Sequence, residues 1–331
     1  MTRSIFSAAV LGIALLPMLS TSPAHASSGT MVITTDTTLT EDHQGNILVN
    51  ANKVTLDCAG HIVSGPGVPG FNGGIEVAGG LSDVTVRRCK VTGFDVNGIF
   101  GGGGATDGRF EANLAYNNGN HGMHLDVGSG YVVLHNTCRA NGAIGIVLTG
   151  GTNSWIVQNT VEDNRNWAGI ALFSDSHDNI VLDNISRRNA LGYVLDVVQD
   201  NELRLNRAEF NLTQGFFIRN SPTTLVEFNT ANDNLIGIEI TEGSDSNRIR
   251  GNVMDRNTGD GFRIFASNKN HVEGNTGNAN GGIGFLVFGG SSTNTLNRNS
   301  GHRNGSLDAL DDGSGSGNVW TKNHFGKTSG F

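Results

Sequence analysis

A glycine opens a short apolar stretch nine times along this chain, at Gly98, Gly122, Gly145, Gly169, Gly192, Gly215, Gly237, Gly261 and Gly284, at intervals of 24, 23, 24, 23, 23, 22, 24 and 23 residues. Self-similarity at a fixed period of this length means a solenoid or an array. Each unit of such a protein buries its apolar face only against its neighbours.

Two asparagine rows keep step with the glycines. One runs Asn113, Asn136, Asn159, Asn184, Asn206, Asn229, Asn252, Asn275, Asn299; the other follows five residues later, from Asn118 to Asn304. A partial third row, including Asn179, Asn201, Asn247 and Asn270, precedes the first by five. Asparagine tolerates the left-handed conformation and bonds its own backbone, which suits bends. Stacked asparagines also form amide ladders. Between the bends lie stretches too short for helices, with alternating apolar positions such as Gly145-Ile-Val-Leu-Thr149. That is strand periodicity. The expected fold is all-β, a right-handed parallel β-helix of about ten coils with three short strands per coil. A leucine-rich repeat is excluded because the Leu-x-x-Leu-x-Leu signature is absent, and a propeller because its blades need about 40 residues.

Residues 1–26 read as a secretory signal: Arg3, an apolar run from Ile5 to Leu19, then Ala24-His25-Ala26 as a cleavage pattern. The expected location is therefore secreted, extracellular or periplasmic, and no later segment is apolar enough to cross a bilayer. Glycine numbers 48 of 331 residues and proline only 5, with no linker between two halves, so residues 27–331 read as one β-helix domain. Within it, 27–56 reads as an N-terminal cap, and 308–331 as the last coil and C-terminal cap carrying Val319, Trp320 and Phe325. A net charge of −8 without a basic stripe argues against a nucleic-acid partner. Of the three cysteines, Cys58 and Cys89 occupy similar contexts and stack if their coils are adjacent. A disulfide between them and three buried thiols are both compatible with the spacing.

The stretches Asn52-Lys-Val-Thr-Leu-Asp-Cys-Ala-Gly-His-Ile-Val-Ser-Gly65 and Gly317-Asn-Val-Trp-Thr-Lys-Asn-His-Phe-Gly326, with the Asn-x-Val-x-x-Asn units between them, resemble the secreted bacterial parallel β-helix repeat proteins of the pectate-lyase-like superfamily. They are especially similar to the branch related to the periplasmic copper-site maturation protein of nitrous oxide reductase. The resemblance implies a glycan cleft along one parallel sheet. It does not extend to the Gly-His-Gly and Arg-Ile-Lys signatures of galacturonan hydrolases or the Tyr-Gly-Phe-Asp-Pro-His signature of one epimerase branch, neither of which occurs here.

If the second and fourth positions of each such strand, counting the row glycine as the first, face inward, the third and fifth face out. Those outward rows hold His124 and Asp126, Phe173, Asp196, Phe217 and Arg219, Glu239, Arg263 and Phe265, with neighbours one coil, about 4.8 Å, apart. On this reading Asp196 pairs with Arg219 and Glu239 with Arg263. A uronic-acid polymer fits these groups, because β-elimination or C5 epimerisation needs a base beside the carboxylate and a cation for the developing enolate. Arg219 or Arg263 fills the second role, and His124, or an arginine deprotonated only transiently, the first. Asp126, Asp196 and Glu239 orient these groups or hold Ca²⁺. Phe173, Phe217, Phe265 and the loop residues Asp175 and His177 contact substrate. Hydrolysis is another use of the carboxylates. Ordinary surface ion pairs, worth at most about 1 kcal/mol each, are the alternative that needs no ligand. No His/Cys/Asp/Glu spacing gives a closed metal-ligand set.

The expected function is a lyase or C5-epimerase acting on an acidic polysaccharide. The alternatives are a non-catalytic glycan-binding or cell-surface protein, a glycoside hydrolase, and a periplasmic metal-site maturation factor. A second apolar face around Trp155, with Val132, Leu134, Val157, Ile180 and Leu182, is the expected place for oligomerisation or a covering segment.

Overall fold

The computed structural model describes residues 27–164 and 166–331; the expected signal segment, 1–26, lies outside the described residues. Among the described residues every regular element is a strand. They stack in parallel into three long sheets of fourteen, thirteen and ten strands, with a two-stranded remainder that carries on the third. The chain winds as a right-handed parallel β-helix of about thirteen turns rather than ten. The difference arises at the ends. Coils formed by strands such as Met31–Ile33, Ile47–Val49 and Ala309–Asp311 pair into the fourteen-stranded sheet without carrying the row glycine from which coils are counted in the sequence. The expected N-terminal cap region, 27–56, contributes to these sheets from its first residues, Ser27–Ser28 pairing with His43–Gln44.

Strand alternation places the core where the apolar pattern puts it. From the fourteen-stranded sheet, pairs such as Ile146 and Leu148, Ile170 and Leu172, and Ile238 and Ile240 point inward and are buried. Val133, Ile156, Val181, Leu203 and Val226 meet them from the thirteen-stranded sheet, and Cys138, Val161, Ala208 and Ala231 from the ten-stranded sheet. Tyr193 stacks on Phe216 inside this core, ring centroids 4.5 Å apart, and donates its hydroxyl proton to the Asn184 carbonyl at 2.8 Å. At the C-terminal end Trp320 and Phe325 pack against the core, and Phe331 stacks on Trp320 at 4.2 Å. Cys58 and Cys89 form a disulfide across adjacent coils, Cα atoms 4.7 Å apart, while Cys138 is a free buried thiol.

The bends are built differently from the sequence expectation. The left-handed residue is the one before each row asparagine: His135 (φ 55), Gln158 (φ 53), Asp183 (φ 54), Leu205 (φ 56) and Phe228 (φ 55) precede Asn136, Asn159, Asn184, Asn206 and Asn229. The asparagines themselves are buried and form the ladders. Asn136 Nδ2 donates to Asn159 Oδ1 at 3.0 Å and to the Phe110 carbonyl at 2.8 Å, and its own Oδ1 accepts the Asn113 backbone N–H at 2.9 Å. The amide closes the bend from inside, where backbone groups of neighbouring coils are left without a strand partner. The left-handed position faces outward and accepts varied side chains.

Candidate functional site

The outward rows of the fourteen-stranded sheet have the register read from the repeat. One row runs Glu76, Phe100, His124, Val147, Ala171, Val194, Phe217, Glu239, Arg263 and Leu286. The other runs Asp126, Thr149, Phe173, Asp196, Arg219, Thr241, Phe265 and Phe288. From Phe100 to Leu286 the face spans eight coil steps, about 38 Å.

The middle of this face is closed. Val147, Ala171 and Val194 point outward yet are buried with Ile144 and Ala168, and Phe173, Leu191 and Phe217 pack on them. Apolar side chains on the neighbouring bend cover the sheet there, so the rings form the outer surface. Trp167, which the outward rows omit because it sits on the bend before the strand, stacks on Phe173 with centroids 5.3 Å apart and remains 43% exposed. Its only sequence signal is a tryptophan at a bend. Further along, Phe265 packs against Phe288 at 4.9 Å.

Asp196, Arg219, Glu239 and Arg263 each have an internal partner. Arg219 and Asp196 form the expected pair, bidentate, with Nε to Oδ1 at 2.9 Å and the second bond from Nη2 to Oδ2. That bonding raises the Arg219 pKa further and keeps it charged, and the guanidinium lies 6.0 Å from the Phe217 ring centroid. The expected Glu239–Arg263 pair does not form. Arg263 turns to Asp260 on its own bend at 2.6 Å, and Glu239 accepts from Gln214 at 2.7 Å. Asp260 lies three residues before Arg263 and is almost fully buried, so it offers a closer and drier acceptor than the cross-coil glutamate.

His124 and Asp126 lie at the other end. His124 Nε2 is 3.1 Å from Thr149 Oγ1, and its ring meets Phe100 and His121 edge-on at 5.3 and 5.4 Å. His121 Nδ1 accepts the Ile144 backbone N–H at 3.1 Å. Burial lowers the pKa of both rings; His121, also disfavoured by His124, drops to about 4, while the Asp126 charge opposes the shift at His124. His124 is therefore neutral near pH 7 and free to act as a base. The register separates it from Arg219 by four coils, about 19 Å, so the base and the cation assigned to one reaction do not meet. Asp175 and His177 sit on the bend after Phe173, where His177 Nδ1 engages Asp178 at 2.8 Å. Among the described residues no group of three or more His, Cys, Asp or Glu side chains is placed to hold a metal ion, and no helix is long and apolar enough to cross a membrane.

The low histidine pKa has a consequence for stability. As pH falls from 6.5, the unfolded chain takes up a proton that folded His121 refuses until about pH 4, so the stability contributed by the neutral ring is lost across that window. Thermal melts should show a steeper decline from pH 6.5 to 4 in the wild type than in His121→Gln. Parallel curves would remove His121 as the cause.

This coiled stack with a long, partly aromatic outward face defines a parallel β-solenoid. The model of the right handed beta helix region matches residues 25–186 and 141–254, and the chain belongs to that family. No curated protein matches it by sequence. Among solved structures it is similar to the mannuronan C-5 epimerase AlgE6 A-module of Azotobacter vinelandii, at 15% identity over 88% of this chain and 91% of that one, TM-score 0.69. It is also similar to the periplasmic alginate epimerase AlgG, at 15% identity over 89% and 76%, TM-score 0.57. A third is the catalytic domain of a GH87 alpha-1,3-glucanase, at 14% identity over 91% and 63%, TM-score 0.50. At these identities the likeness is one of fold, and none of the three is a copper-site maturation protein.

Proposed function

We propose that this protein binds an extended polysaccharide along the outward face of its fourteen-stranded sheet. The observation that carries this reading is the spacing of half-buried rings and hydrogen-bonding groups on that face: His124 and Thr149, the Trp167–Phe173 stack, Phe217 beside Arg219, and Phe265 with Phe288, all on a rigid ladder about 38 Å long. Rings present flat apolar surface to sugar faces, and partnered charges beside them offer hydrogen bonds without a large desolvation cost. The three similar structures carry polysaccharide-related names, which supports the substrate class.

The face is acidic. Glu76, Asp126, Asp196 and Glu239 outnumber Arg219 and Arg263, and both arginines are already engaged. A polyuronate therefore meets net repulsion, and an uncharged glycan does not. This reading departs from the acidic glycan expected from the sequence. Lyase or epimerase chemistry on an acidic glycan is the second reading, favoured by neutral His124 beside Asp126 and requiring Ca²⁺ or another cation to offset the acidic face.

Affinity electrophoresis through gels of neutral glucans, pectate and alginate, with and without calcium, tests both. Retardation by at least one neutral glucan is expected, weakened about three- to tenfold in Phe217→Ala and in Trp167→Ala, in line with ~0.5–1.5 kcal/mol per aromatic contact. Retention by none of the gels would sink the binding reading. Unsaturated uronate absorbance or NMR-detected epimerisation, lost in His124→Ala, would establish the second reading in its place.

A further inference from the structure

A second groove lies on a different sheet. It occupies about 710 Å³ on the outward face of the thirteen-stranded sheet, a volume in the range of small-molecule sites. Two features of the repeat create it. Along the coil axis the outward residues change from apolar to charged: Trp155, Ile180, Glu202, Leu225 and Arg248 are successive partners in one row, and Leu182, Arg204, Glu227 and Arg250 in the other. The groove straddles that boundary, with Ile180 and Leu182 on its floor.

The wall is unusual for its position. Leu205 and Phe228 occupy the left-handed bend site, which elsewhere in the same row holds Ala112, His135, Gln158, Asp183 and Arg298. Bulky apolar residues are rare there. Both remain more than half exposed, at 54% and 52%, beside Trp155 at 46%. Three large apolar side chains thus border one groove in contact with water, although folding at these bends requires none of them.

The charges do not cancel. Glu227, 3% exposed, is clamped between Arg250 and Arg204, the latter at 3.7 Å, and Glu202 takes a second Arg204 nitrogen at 2.9 Å. Arg250 also lies 5.6 Å from the Phe228 ring centroid. Arg248, on the groove's rim, is exposed and has no carboxylate partner among the described residues. The groove therefore carries one uncompensated positive charge beside an apolar floor, in a chain whose net charge is −8.

We propose that this groove binds a free amphipathic carboxylate, its apolar body on Ile180 and Leu182 between Trp155 and the Leu205–Phe228 wall, its head group on Arg248. Ile180 and Leu182 offer no hydrogen bond to a sugar hydroxyl, so this half of the groove suits a hydrocarbon body better than a sugar. The site is separate from the polysaccharide face and does not depend on it.

Calorimetric titration of the full chain with dodecanoate, below its micelle threshold, tests this. Saturable binding at one site per chain is expected, with a blue shift of tryptophan emission that is absent in Trp155→Phe. Arg248→Ala should weaken binding about tenfold, since a hydrogen bond between charged groups is lost. Leu182→Asp should abolish it, with melting temperature and far-UV spectrum reporting that each variant folds; Phe228→Ser replaces Leu182→Asp if the latter does not. Neutral dodecyl maltoside and cationic dodecyltrimethylammonium should not saturate the site. Absence of saturable uptake overturns the proposal, as does equal binding of dodecyl maltoside or an Arg248→Ala affinity equal to wild type. Sedimentation showing a dimer that hides Trp155 overturns it in favour of a contact between two copies.

Discussion

Asn206→Leu is expected to cost about 2–5 kcal/mol and to split the thermal melt into two transitions. Leucine keeps the branching of asparagine but removes both polar atoms, and its bulkier methyl groups add overpacking to the lost hydrogen bonds. Asn206 is fully buried; its Oδ1 accepts the Asn184 backbone N–H and the Asn184 side-chain amide, both at 3.0 Å. Its Nδ2 donates to the Val181 carbonyl at 2.7 Å and to Asn229 Oδ1 at 3.0 Å. Some of these groups keep a second partner: the Asn184 amide still reaches the Ile156 carbonyl at 2.8 Å, and Asn229 Oδ1 still accepts the residue 206 backbone N–H at 2.9 Å. The Asn184 backbone N–H loses the acceptor described above and is buried, and a buried donor left unpaired costs ~1–3 kcal/mol. Because coils are coupled only to their neighbours, damage near the middle should let the two ends melt apart. Asn159→Leu removes equivalent bonds to Asn184 Oδ1 and the Val133 carbonyl and should behave alike. Denaturant melts that show a loss below ~1 kcal/mol at both positions would mean the ladders are incidental to stability.

Replacing a row glycine should be at least as damaging, for a reason unrelated to backbone freedom. None of the nine row glycines has a positive φ. What they supply is space. A Cβ at Gly192 would stand 2.3 Å from the Gly215 carbonyl oxygen and 3.0 Å from Ala208 Cβ. The carbonyl belongs to the next coil and is fixed by the sheet, so Gly192→Ala should cost about 3 kcal/mol or more, at or beyond the upper end of ordinary overpacking. Gly274→Ala is the contrast. That glycine has φ 63 with nothing within 4 Å of its Cβ position, so only the left-handed strain of ~1–2 kcal/mol applies. Soluble yield and chemical denaturation of the two variants check the ranking. A Gly274 variant as unstable as the Gly192 variant would show that conformation, not coil spacing, sets the glycine row.

The proposed polysaccharide face and the proposed carboxylate groove draw on the surface that the same repeat leaves free to vary. Inside, each position is constrained by identical neighbours about 4.8 Å above and below. Outside, a residue meets solvent and one or two bends, so Trp155, Arg248, Phe217 and Arg219 carry information that the fold does not require.

A strict repeat makes long-range contacts readable, because the residue stacked on position i lies about one period later. The sequence alone therefore determined the solenoid, the inward rows, the strand register and the adjacency of Asp196 with Arg219. The structure decided what depends on side-chain choice and bend length. Arg263 took the near-buried Asp260 rather than Glu239, because an acceptor on its own bend is closer than one on the next coil. The left-handed role passed to the residues before the asparagines, because a buried amide stabilises the coil more by bonding its stacked neighbours than by tolerating a strained backbone. His124 and Arg219 stayed about 19 Å apart, because a rigid ladder permits no convergence across four coils. The Trp167–Phe173 stack and the groove wall of Leu205 and Phe228 rest on bend residues. The period gives the position of such residues along the chain, but bend conformation sets where their side chains point and what they meet, and only the packed structure decides that.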